Sequence, residues 1–103
     1  PGSDNPAYTY IDSIDSVDVK VSQQKLPKQF EYNPELELER VAKDFQATDI
    51  IQIDESKVYH GLDDATKTQT VIFIKDGLLV FIISPEKLSD DTWAGYILGL
   101  QKQ

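Results

Sequence analysis

A chain of 103 residues with 40% apolar and 27% charged side chains has the size and balance of one folded domain with one core, which excludes a disordered chain and a second core. Eighteen acids against ten bases give a net charge of −8, which repels phosphate backbones and anionic headgroups. Nucleic acid and membrane-surface binding are thus not expected, and the spread acids read as a solvated surface with a basic partner as the alternative. The apolar blocks are far short of the ~20 residues direct membrane insertion needs, and the absence of cysteine excludes disulfides, thiol catalysis and thiolate-bound metal.

Pro1-Gly2-Ser3 reads as a cloning remnant and residues 4–15 as a linker or local docking segment, in which Tyr8, Tyr10, Ile11 and Ile14 are scattered among Asn, Pro, Ser and Asp. Residues 16–103 are expected to form the single domain. With no initial methionine the chain reads as a trimmed or processed piece of a longer product. An absent cysteine fits the cytosol and the outside alike. The soluble part of an exported or membrane-anchored protein would look like this, as would a cytosolic domain cut from its neighbours, and an extracytoplasmic setting is placed slightly ahead.

Val17, Val19 and Val21 alternate with Asp18 and Lys20, the period of a half-buried strand. Pro27 ends it, and Phe30 and Tyr32 are available as anchors in the connection. Asn33 as cap, Pro34 at the first helical position and Glu35 and Glu37 in the first turn punctuate a helix start. Leu38, Val41, Ala42 and Phe45 then recur at helical spacing and mark the face that lies on a core. Ile50, Ile51 and Ile53 predict a strand, Asp54-Glu55-Ser56 a turn and Lys57-Val58-Tyr59-His60 a further strand, followed by a loop over residues 61–67.

The stretch TVIFIKDGLLVFIIS, residues 70–84, predicts two strands joined by an Asp76-Gly77 type I′ turn. That turn sets Lys75 opposite Leu78, Ile74 opposite Leu79, Phe73 opposite Val80, Ile72 opposite Phe81 and Val71 opposite Ile82. One face then carries Ile72, Ile74, Leu79 and Phe81, and the other Val71, Phe73, Leu78, Val80 and Ile82. Each large side chain left in water forgoes about 1.5–3 kcal/mol, so both faces need a cover. Helices on opposite faces, helices on one face with the N-terminal segment over the other, or a second chain would each supply it. Ser89 as cap, Asp90 and Asp91 in the first turn, and Trp93, Tyr96, Ile97 and Leu100 at helical spacing predict the last helix.

The fold class is therefore α+β, an antiparallel sheet of about five strands with two amphipathic helices in the order β-α-β-β-β-β-α, three-layer α-β-α being one arrangement. In element order the chain is similar to small PsbP-like domains, in which helices sandwich an antiparallel sheet. That similarity assigns no residue a role.

Three function classes follow. The first is a non-catalytic binding or assembly domain, with a protein partner or a second copy on Val71, Phe73, Leu78, Val80 and Ile82 or on the Gly95-x-x-x-Gly99 flank of the last helix. The second is a ligand or enzymatic pocket built from Tyr59, His60, Asp63, Asp64 and Trp93. A structural spacer is the third. His60 is the only histidine, no serine sits in a nucleophile elbow and no metal-ligand spacing occurs, so a non-enzymatic, cofactor-free and metal-free role is expected. Asp12, Asp15 and Asp18, and the pairs Asp63-Asp64 and Asp90-Asp91, lack the order of a calcium loop.

Overall fold

The apolar ribbon forms the centre of the sheet. The computed structural model describes residues 8–53, 56–75 and 77–101, and in it the ribbon strands β5 (Thr68–Lys75) and β6 (Leu78–Ser84) pair in the predicted register, from Lys75 opposite Leu78 to Val71 opposite Ile82. Asp76 lies outside the described residues, and Gly77 has the positive φ of 76° that its turn position requires. β4 (Ser56–Asp63) and β3 (Asp49–Ile53) continue the sheet on one side. On the other, β2 (Val17–Lys25) pairs with β6 and β1 (Tyr8–Ile14) with β2. The order is β1-β2-β6-β5-β4-β3 with every pairing antiparallel.

The sheet thus has six strands and not five, because residues 8–14 belong to it. Two features conceal β1 in the sequence. Its turn is Asp15-Ser16, whose φ values of 49° and 68° place both residues in the left-handed region without any glycine. Its inward face is Tyr10, Asp12 and Ile14, so the apolar alternation is broken by a carboxylate. The turn after β3 was expected at Asp54-Glu55-Ser56; Asp54 and Glu55 lie outside the described residues, and Ser56 already opens β4.

From β2 the chain crosses one face of the sheet to reach its far edge. A short 3-10 turn (Lys28–Glu31) buries Phe30, and α1 (Pro34–Asp44) follows with Asn33 as cap, its side-chain oxygen accepting from the Leu36 N–H at 3.1 Å. Leu38 and Ala42 of α1 pack with Phe30, Ala47, Tyr59, Ile72 and Leu79. Phe45 caps the helix and is half-exposed, yet meets Phe81 edge-to-face at 5.4 Å.

α2 (Asp90–Gln101) lies on the other face, where Trp93 and Ile97 pack with Val19, Val21, Val71, Phe73, Val80 and Ile82. Ser89 caps it, its hydroxyl accepting from the Thr92 N–H at 3.1 Å. Helices on opposite faces cover the two sides of the ribbon, as the first of the three arrangements requires.

Candidate functional site

The proposed partner surface on the hairpin is already occupied. Val71, Phe73, Val80 and Ile82 have 0% exposure beneath α2, and only Leu78 is partly open, so no partner reaches these four while α2 stays docked. Gly95 and Gly99 are placed differently. Among the described residues a methyl group added at either would meet nothing within 4 Å, so neither glycine is there to let the helix approach the sheet.

Tyr59, His60 and Trp93 do not form one pocket. Adjacent residues of a strand point to opposite faces, so Tyr59 packs under α1 and His60 faces α2. Trp93 is fully buried, and its indole Nε1–H donates to Gln69 Oε1 at 2.9 Å. The same oxygen accepts from the Leu88 N–H at 2.8 Å. Two donors converging on one atom require it to be oxygen, so the Gln69 amide nitrogen faces His60 Nδ1 at 3.4 Å. Nδ1 is then the acceptor, and the ring proton sits on Nε2, 3.8 Å from Asp90 Oδ1. Sequence reasoning missed Gln69 because a glutamine in a strand carries no pattern signal. The four side chains are joined to one another and dock α2 on the sheet.

Asp63 is occupied in its own loop. Its Oδ1 accepts from the N–H groups of Ala65 and Thr66, at 2.9 and 3.4 Å, and Asp64 is exposed in the same turn. No three His, Cys, Asp or Glu side chains converge among the described residues.

What the structure adds is a trough of about 750 Å³ between β1 and α2. Tyr8, Tyr10 and Asp12 of β1 and Gln23 of β2 form its floor, Gly95, Tyr96 and Gly99 its helix wall, and Lys75 lines it as well. A shallower hollow shares Gly95 and Tyr96 and continues past Asp15 and Asp91. Tyr96 Oη donates to Asp12 Oδ2 at 2.6 Å, and Thr92 Oγ1 to Asp15 Oδ2 at 3.3 Å, so two hydroxyls of α2 reach β1 and the turn that follows it. The Tyr8 and Tyr10 rings lie 5.8 Å apart, and Gln23 Nε2 donates to Tyr10 Oη at 3.4 Å. The Tyr10 and Tyr96 phenols are therefore held in place around open space.

Burial pushes the Tyr96 phenol well above its ordinary range, and the hydrogen bond to Asp12 adds to the effect. The folded chain keeps a proton that the unfolded chain releases near pH 10.0. This contribution to stability is complete below that value and fades as pH rises beyond it toward the folded value. Denaturation midpoints taken from about pH 8 to about pH 11 should fall more steeply for the wild type than for Tyr96→Phe. Identical slopes would remove this role from Tyr96.

In comparisons with protein families, curated proteins and solved structures, nothing matches this chain.

Proposed function

We propose that the chain is a non-catalytic binding domain and that its contact surface is the β1–α2 trough. The observation that carries this reading is the helix wall. A glycine inside a helix costs about 1 kcal/mol relative to alanine. Gly95 and Gly99 carry that cost with no neighbour among the described residues that needs their missing side chains. Contact by a visiting chain gives them a purpose, since they let it approach the helix backbone. Tyrosines suit the facing floor, because a rigid ring with a polar tip gives contact area at small entropic cost.

Peptides selected from a random displayed library on the wild-type domain provide the test. Gly95→Leu with Gly99→Leu fills the trough and raises helix propensity, so folding is kept. Selected peptides should bind this variant roughly tenfold or more weakly, a loss of about 1.4 kcal/mol. Equal binding to both proteins, or no enrichment, would overturn the assignment. Light scattering over a range of concentration covers self-association: a mass that rises with concentration and returns to the monomer in the filled variant would identify a second copy as the visitor.

A further inference from the structure

We infer that β1 accepts a seventh strand from a partner, an extended peptide with basic side chains on the α2 side and apolar side chains on the other. This rests on the trough reading and specifies its ligand.

β1 is an edge strand. Sheets protect such edges with bulges, prolines, lysines or very short strands. β1 pairs with β2 over seven consecutive residues without a bulge, and it contains neither proline nor lysine. Among the described residues its guard is Asp12, a carboxylate on the inward face. An inward carboxylate turns away apolar and acidic strands and admits one with a cation opposite it, so it acts as a filter.

The two faces of β1 ask for different neighbours. On the α2 side stand Tyr8, Tyr10 and Asp12, with Asp15 and Asp91 beside the adjoining hollow. Lysine or arginine there would meet carboxylates and phenol rings, which attract cations through charge and ring quadrupole. On the α1 side stand Thr9, Ile11 and Ser13, and Ile11 is 65% exposed because the cluster beneath α1 is built from β4, β5 and β6 and includes no residue of β1. An apolar side chain opposite Ile11 would cover it. A strand alternating basic and apolar residues meets both demands at once, with main-chain hydrogen bonds to β1 supplying affinity. The other edge differs: β3 is five residues long and α2 packs close against it.

The test is an amide chemical-shift titration of the full chain with the peptide Val-Lys-Val-Lys-Val-Lys-Val, acetylated and amidated. Shifts should gather on Tyr8–Ile14, Gly95 and Gly99, with cross-strand contacts from the peptide backbone to β1. The glutamate counterpart, and a peptide with proline at its centre, should each bind roughly tenfold or more weakly. Asp12→Asn keeps an acceptor for Tyr96, so it should fold and lose most of the preference for lysine over glutamate. Equal binding of the two charge types, or no shift in β1 at millimolar peptide, would overturn the inference. A basic helical peptide is the control that separates the two readings. Shifts at Gly95 and Gly99 without β1 would overturn strand addition and keep the trough as a binding surface. Absence of shifts there with every peptide would overturn both.

Discussion

Gly61→Ala should destabilise the domain by about 3 kcal/mol or more, the upper end of what overpacking costs, in a urea titration with unchanged slope. Gly61 lies in β4 on the side facing α1, and the chain leaving α1 runs directly over it. There the Ala47 N–H donates to the Ala42 carbonyl at 2.8 Å, Gln46 has a φ of 60°, and Ala47 has no exposed surface. A Cβ on Gly61 would overlap the Gln46 carbonyl oxygen and stand 2.7 Å from Ala47 Cα. Both obstacles are backbone, so no rotamer change relieves the clash, and the loop must lift from the sheet. Such a loss is a large part of a typical net stability of about 5–15 kcal/mol. Gly95→Ala is the matched comparison. Its added methyl meets none of the described residues within 4 Å, so helix propensity alone acts and the domain should gain up to about 1 kcal/mol. Equal effects at the two positions would refute the packing account of both.

Much of this fold was readable because strong local signals agree with one another. The two-residue spacing between Lys75 and Leu78 and the double-sided apolar run set the β5–β6 register and the membership of each face, and both cores follow that division. Asn33-Pro34 and Ser89 marked the helix starts through ordinary capping chemistry. β1 was hidden because its turn takes the left-handed conformation without glycine and its inward face includes Asp12. Gly61 looks in sequence like the beginning of a loop, but it continues β4, since the close approach comes from a segment fourteen residues earlier in the chain, at Ala47.

The site was less readable. Spacing marks Gly95 and Gly99 in the sequence, but the open space beside them depends on where β1 lies, and the sequence of β1 reads as a linker. Tyr8, Tyr10 and Asp12 thus passed as linker residues. The hairpin face attracted attention through its greasiness, and that same greasiness put Phe73 and Val80 under Trp93 and Ile97. An apolar face with a helix available in the same chain is covered by that helix, and the surface left over is the more polar one along its flank.

Gln69→Met should cost about 3–5 kcal/mol, read as a lowered denaturation midpoint, because one side chain satisfies three partners. Its Oε1 accepts from Trp93 Nε1 and from the Leu88 N–H, and its amide nitrogen meets His60 Nδ1. Methionine fills similar volume without an acceptor, leaving two buried donors unpaired at about 1–3 kcal/mol each. The loss falls where the β6–α2 connection and the first turns of α2 meet the sheet, so the helix wall of the trough should loosen with it. Gln69→Glu keeps an acceptor for both donors and should retain the hydrogen bonds that Gln69→Met deletes. A double-mutant cycle with Trp93→Phe separates this account from simple loss of packing. Phenylalanine carries no N–H, so in that background one orphaned donor is already gone and Gln69→Met should cost about 1–2 kcal/mol less. Strict additivity of the two substitutions would mean that the indole hydrogen bond contributes nothing, and that packing alone holds α2 in place.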